Sequence, residues 1–291
     1  NKEFVQKCAN YCQNTLKSHV LYSGEVLKLN DKRGKSKRVV VITNQFITYF
    51  KDKNVKENRL HYWLNVTHLD FTNTTVIIKF NENKQFRFIP NLDSNSMDDV
   101  KRTLIELFLR IFSSEELAPL DFTRFPHPLI EVNANGVLTR FDIYSKERNL
   151  DENKTLRKYL KNTLLVKPKY IEFNNQFQSE FNSNVLNCIL RAIRPLSYIQ
   201  LISLPKIIDS GNLYNALADF VSRNSEVKIL KLHNNADENF DRFSNDLSES
   251  QVSQLRGLIF EDVDLTSEEL DRVQKLTVAR KFTSASFINS I

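Results

Sequence analysis

KLNDKRGKSKRVVVITNQFITYF, residues 28–50, divides into parts of different chemistry. Six cations, Lys28, Lys32, Arg33, Lys35, Lys37 and Arg38, crowd a polar opening that also carries Gly34. The β-branched run Val39-Val40-Val41-Ile42-Thr43 follows, then a turn at Asn44-Gln45, then the strand-like Phe46-Ile47-Thr48-Tyr49-Phe50. This pattern predicts a β-hairpin entered through a flexible, strongly basic loop. A stiff strand lifting a cationic loop suits an anionic headgroup or another polyanion. The plain alternative is a solvated surface loop, since Lys and Arg sit outside by default. Tyr49 is a candidate headgroup hydrogen-bond partner or, equally, a packed strand aromatic. Lys51 and Lys53 extend the basic set.

Charge placement favours the functional reading of this stretch. Residues 1–115 hold 19 Lys and Arg against 12 Asp and Glu, whereas the remainder holds 22 against 23. Within residues 28–59 there are ten cations against Asp31, Asp52 and Glu57. Solubilising charge would be scattered, so this concentration points to an anionic partner.

The composition, 41% hydrophobic and 26% charged over 291 residues, is that of a globular chain with room for two domains. No apolar run reaches the roughly 18 residues that span a bilayer, and no signal peptide is visible. Cys8, Cys12 and Cys188 are too sparse for a disulfide framework, and no Cys/His partners follow at zinc spacing. A reducing cytosol is the expected compartment.

Working outward from the hairpin, residues 2–17 carry Phe4, Val5, Cys8, Tyr11, Cys12 and Leu16 at helical spacing. Residues 19–29, 37–43 and 46–51 read as strands, and four more follow at 59–63, 66–71, 75–80 and 84–89. An amphipathic helix, MDDVKRTLIELFLRIF, comes next, with Val100, Leu104, Leu107, Phe108 and Ile111 as its stripe. Seven short strands closed by one helix is the plan of a pleckstrin-homology (PH) domain, a bent sheet or barrel whose open corner the helix plugs. KRVVVITNQFITYF resembles the β2–β3 hairpin of PH domains. LRIF at 109–112 and LHYWLNV at 60–66 resemble segments of the PH-like domain in CARMIL proteins. The tryptophan usual in a PH C-terminal helix is absent, and the sole Trp63 falls in a strand-like run. Strand alternation puts Lys37 and Arg38 on opposite faces, so only one of them can look into a headgroup pocket.

Residues 113–128, with three prolines, read as a connector. Residues 129–132 and 137–144 read as strands around Asn135-Gly136, and 154–165 as a basic helix. Beyond this the chain repeats. L-x-x-L-x-L recurs, with substitutions, from Pro168, Leu196, Val227 and Leu255, its fourth positions being Ile171, Ile199, Leu230 and Leu258. The steps are 28, 31 and 28 residues, with helix-like stretches between, which is the leucine-rich-repeat signature. The consensus asparagine is found only at Asn235. CARMIL proteins share this order of a PH-like domain, a linker and leucine-rich repeats.

The expected fold is therefore α/β and multi-domain: a PH-like sheet with a C-terminal helix, then an α/β leucine-rich-repeat solenoid. The expected bounds are an N-terminal helix at 1–17, the PH-like domain at 18–113, a linker and solenoid cap at 114–165, and about four repeats at 166–291. The histidines at 61, 68, 127 and 233 are isolated, and no nucleophile elbow or glycine-rich phosphate loop occurs. An enzyme, a cofactor and a bound metal are not expected.

The resemblance to CARMIL proteins implies a cytoplasmic scaffold recruited to the plasma membrane, with actin-regulatory partners in protrusion or endocytic uptake. The lipid contact, to phosphoinositides or other anionic lipids, is assigned to Lys28, Lys32, Arg33, Lys35, Lys37, Arg38, Tyr49, Lys51 and Lys53. The protein contact is assigned to Glu172, Gln200, Lys231, His233 and Glu261, which flank the repeat strands. The alternative is a soluble interaction module whose PH-like domain packs on the repeats and never meets lipid. Nucleic acid is not an expected partner, because the basic patch lacks exposed aromatics.

Overall fold

The computed structural model describes residues 2–30, 34–51, 60–81, 84–90, 96–120, 131–173, 177, 181–207 and 212–288. They fall into two units, Asn1–Val132 and Asn133–Ile291. The first opens with helix α1 (Lys2–Asn14) and strands β1 (Val20–Asn30), β2 (Gly34–Thr43), β3 (Phe46–Phe50) and β4 (His61–Tyr62). A 3-10 turn at Trp63–Asn65 leads into β5 (Val66–Phe71), β6 (Val76–Phe80) and β7 (Lys84–Pro90), and helix α2 (Ser96–Ile111) follows. All pairings are antiparallel, in the order β4-β3-β2-β1-β7-β6-β5. A seven-stranded antiparallel sheet followed by a helix resembles the PH-like plan. A short helix, α3 (Ser114–Leu117), held by a Ser113/Glu116 capping box, comes next.

Val39-Val40-Val41-Ile42 shows no alternation because both of its faces are covered. Val39 and Val41, with Phe46 and Phe50, pack against Cys8 and Cys12 of α1. Val40 and Ile42 face the other way and are equally buried. Burial stabilises such side chains by about 2 kcal/mol each. It also pushes the Cys8 thiol up to about 11, so this free cysteine packs as a small apolar group.

Two expectations about this unit change. The flexible basic loop is mostly strand: β1 and β2 form one ladder out to the Asn30/Gly34 pair. Gly34 sits at φ +67°, a conformation that costs glycine nothing. Lys28, Lys35, Lys37 and Arg38 therefore stand on strands, while Lys32, Arg33 and Lys53 lie outside the described residues. Trp63 is in the 3-10 turn after β4, not in a strand. Its indole N–H donates to the Thr43 carbonyl at 2.8 Å, and its ring meets Phe108 of α2 edge-on at 5.7 Å. The ring thus joins sheet to helix from the sheet side.

In the second unit, helices α4 (Ala134–Glu147) and α5 (Lys154–Leu165) precede strand β8 (Tyr170–Glu172). The strand expected at 137–144 is instead α4, while of the one expected at 129–132 residues 129 and 130 lie outside the described residues and 131–132 precede the helix. The Asn133 side chain accepts the Gly136 N–H as an N-cap, and Val137, Phe141 and Tyr144 are buried at helical spacing. The Asn-Gly pair sits in the first helical turn and makes no hairpin. Then come α6 (Ser183–Ile193), β9 (Leu201–Ser203), α7 (Leu213–Val221), β10 (Ile229–Leu232), α8 (Asn239–Glu249), β11 (Gly257–Glu261), α9 (Ser267–Arg280) and β12 (Ser284–Ile288). The five strands pair in parallel and in sequence order, one helix between each.

Sheet register corrects the repeat alignment. Ile171 pairs with Ile202, Ile202 with Leu230, and Leu230 with Leu258, so the steps are 31, 28 and 28 residues. The segment 196–204 fits the apolar pattern in two frames. The chosen frame buries Ile199, Ile202 and Leu204 and turns Leu201 to the opposite face. Side chains stitch successive units: Asn224 Nδ2 donates to the Arg194 carbonyl at 3.0 Å while its Oδ1 accepts from Val227 N at 2.8 Å. Asn234 exchanges two bonds with the Ile207 backbone, and Arg280 donates to the Ser250 and Ser253 carbonyls.

Trp63→Phe keeps the ring but leaves the buried Thr43 carbonyl short of a donor. We expect a loss of about 1–3 kcal/mol in urea unfolding followed by circular dichroism. Unchanged stability would remove Trp63 as the link between sheet and helix.

Candidate functional site

Register sorts the basic residues of the hairpin onto two faces. Val26 lies opposite Arg38, Lys28 opposite Ser36, and Val40 opposite Tyr49. Lys28, Arg38 and Tyr49 therefore share one side of the sheet. Lys35 and Lys37 point to the other, the side on which α1 covers Val39 and Val41, and both are exposed. Lys51 is exposed just past β3. The nine residues assigned from sequence thus do not form one patch: three converge, two oppose them, and Lys51 lies beyond the strand. The remaining three are outside the described residues.

The three that converge make specific contacts. The half-buried Lys28 ammonium sits 3.6 Å from the Tyr49 ring centroid and 5.3 Å from that of Phe86. Tyr49 and Phe86 stack at 5.5 Å, and Phe86 continues to His61 at 6.2 Å, which lies 4.9 Å from Phe80. The aromatic faces hold the ammonium by its charge and leave its N–H groups able to donate. Arg38 Nη1 donates to the Lys37 carbonyl at 2.5 Å, while its Nε is buried with no hydrogen-bond partner among the described residues. A buried guanidinium nitrogen without an acceptor costs free energy that a bound anion would recover. Sequence reasoning missed Phe86 and His61. The alternation in KQFRFIP marks a strand, but only the β1–β7 pairing brings Phe86 under Lys28.

On the parallel sheet, Glu172, Ser203, Lys231 and Ile259 stand side by side in register. Lys231 Nζ lies 2.5 Å from Glu261 Oε2, and His233 Nε2 lies 3.3 Å from the same oxygen. These three assigned residues are therefore brought together, half-buried. Glu172 is exposed on β8, two strands from Lys231 and three from Glu261, and Gln200 stands one residue before β9. His233, Glu261 and Asp262 place possible metal-ligand atoms within 4.8 Å of one another. Lys231 already holds the Glu261 carboxylate, so a cation there would have to displace an ammonium.

Among the described residues no helix is long and apolar enough to cross a membrane. No protein-family model matches the chain, and no curated protein matches it. Solved structures similar to parts of it include the C-terminal domain of an unknown protein from Leishmania infantum, at 11% identity and TM-score 0.30, covering 38% of this chain and 99% of that one. Another is human RhoA in complex with the DH/PH fragment of PDZRHOGEF, at 9% identity and TM-score 0.29, covering 34% and 31%. A third is the PH domain of human oxysterol binding protein-related protein 11, at 18% identity and TM-score 0.25, covering 30% and 79%.

The Lys231–Glu261 pair generates its own check. Glu261→Lys alone sets two ammonium groups beside His233, and we expect a loss of about 1–2 kcal/mol. Lys231→Glu with Glu261→Lys restores the pair and returns stability to within about 0.5 kcal/mol in chemical denaturation. Additive losses in the double variant would show that the pair contributes nothing.

Proposed function

We propose that this protein is a non-enzymatic, membrane-associated scaffold. Its antiparallel unit binds a phosphorylated lipid headgroup, and its parallel unit binds protein. The observation that carries the first part is the convergence of Lys28, Arg38 and Tyr49 on one sheet face, with Arg38 Nε buried and without an acceptor among the described residues. A phosphoryl group accepts from a guanidinium in two parallel bonds and from an ammonium as a point charge. At ~1 kcal/mol for each of two cations near an anionic leaflet, charge alone falls short of millimolar affinity. Stable recruitment then needs pocket hydrogen bonds, for which the Tyr49 hydroxyl is the nearest candidate, or a second contact.

We read the strand–helix units of residues 166–291 as leucine-rich repeats. The four in-register segments at Ile171, Ile202, Leu230 and Leu258 support this. Their strand face, polar and mixed in sign at Glu172, Lys231, His233 and Glu261, suits a specific, moderately polar interface. The resemblance to CARMIL proteins extends the reading to actin-regulatory partners at the cell cortex.

Vesicles containing phosphoinositide test the lipid part by co-sedimentation at low salt. Lys28→Ala with Arg38→Ala should weaken binding at least fivefold, about 1 kcal/mol. Lys35→Ala with Lys37→Ala, on the opposite face, should weaken it less. If the Lys28/Arg38 variant sediments like the unaltered protein, the headgroup site is refuted. The chain is then a protein-interaction module that does not use this face for lipid.

A further inference from the structure

The residue that immediately precedes each strand of the parallel sheet forms a row: Lys169, Gln200, Lys228, Arg256 and Thr283. Backbone bonds hold the row together. Gln200 N donates to the Lys169 carbonyl at 2.7 Å, Lys228 N to that of Gln200 at 2.8 Å, Arg256 N to that of Lys228 at 3.0 Å, and Thr283 N to that of Arg256 at 2.9 Å. The side chains are thereby fixed one strand spacing apart, ~4.8 Å. Beside them runs the first outward rung of the sheet, Tyr170, Leu201 and Ile229. Together the two rows line a groove of about 610 Å³, within the range of ligand-binding clefts.

Three cations and no carboxylate line this groove among the described residues. Among the described residues none of Lys169, Lys228 and Arg256 makes an ion pair. Glu226, the acid two residues before Lys228, receives a hydrogen bond from the Ser225 hydroxyl. The contrast with the middle of the same sheet is direct: Lys231 is already neutralised by Glu261, whereas the edge row keeps its charge available. The floor is aliphatic at Leu201 and Ile229, and Tyr170, 61% exposed, stands at one end.

Resting on the reading that this unit binds protein, we propose that the groove takes an acidic peptide segment in extended conformation. The segment lies across the strands, with carboxylates on Lys169, Lys228 and Arg256 and an apolar side chain over Leu201 and Ile229. The row spans four strand intervals, ~19 Å, which about six extended residues cover. Gln200 and Thr283 supply neutral hydrogen-bonding groups at the positions between and beyond the cations. An aliphatic floor favours peptide over nucleic acid, whose bases need a series of aromatic platforms.

The test is fluorescence anisotropy of a labelled octapeptide alternating glutamate and leucine, titrated with the full chain at low salt. Saturable binding is expected, weakened at least about fivefold by Lys228→Gln with Arg256→Gln. The exposed Lys169→Gln serves as an independent variant if that pair misfolds. Lys275→Gln, exposed on α9 and not among the residues that line the groove, should leave peptide affinity unchanged, and a lysine-leucine octapeptide should not bind. No binding of the acidic peptide, or equal binding by the Gln variants, overturns the proposal. Loss only in the Lys231/Glu261 swap overturns it too, but leaves the protein-binding face standing and moves the site to mid-sheet. Tighter binding of a thymidine octanucleotide with the same variant dependence overturns it in favour of nucleic acid.

Discussion

The double-sided burial of β2 is the constraint on which the antiparallel unit depends. Val39 and Val41 need α1 above them, and Val40 and Ile42 need the sheet interior below. Without α1 the hairpin would expose an apolar outer face carrying Phe46 and Phe50 as well. With it, β2 is clamped at its C-terminal half, while its N-terminal half runs on as an extension beside β1, whose residues 26–28 also pair with β7. That extension carries the cations. A clamp at one end thus holds charged strand residues in fixed places at the other.

The same clamp explains why charge counting alone misdirects. Ten cations in residues 28–59 look like one patch, but a strand has two faces and alternation divides them. Lys35 and Lys37 share the face of Val39 and Val41, so they stand beyond the edge of α1 in open water. Lys28 and Arg38 share the face of Val40, where Lys28 meets the Tyr49 and Phe86 rings and Arg38 donates to the Lys37 carbonyl. The parallel sheet divides its charge in another way. Lys231 and Glu261 neutralise each other in mid-sheet, whereas Lys169, Lys228 and Arg256 at the strand entrances have no such partner among the described residues.

Much of the fold was legible because local chemistry and tertiary context agreed. The alternation of residues 66–71, 75–80 and 84–89, and the stripe from Val100 to Ile111, gave strands and a helix that the structure contains. Misreadings arose where a local signal had two meanings. Asn135-Gly136 is a hairpin signal between strands and an N-terminal turn below an asparagine cap, and only the apolar spacing of Val137, Phe141 and Tyr144 decides. Residues 196–204 hold enough apolar positions for two frames, and only pairing with Ile171 and Leu230 selects one. The candidate site was half legible. Lys28, Arg38 and Tyr49 could be named from sequence, but Phe86 and His61 join them through strand pairings no local pattern encodes.

The central claim is that Lys28, held over Tyr49 and Phe86, is the cation an anionic headgroup meets. The direct measurement is the proton spectrum of the full chain with isotopically labelled lysine, titrated with a soluble inositol trisphosphate. Ring currents from Tyr49, whose centroid lies 3.6 Å from Lys28 Nζ, should shift the adjoining ε-methylene protons upfield in the free protein. A saturable shift of those protons back toward the ordinary lysine position is expected as the phosphate binds, with no such response from Lys35 or Lys37. A titration that leaves Lys28 unmoved, or that moves Lys35 and Lys37 instead, would contradict it.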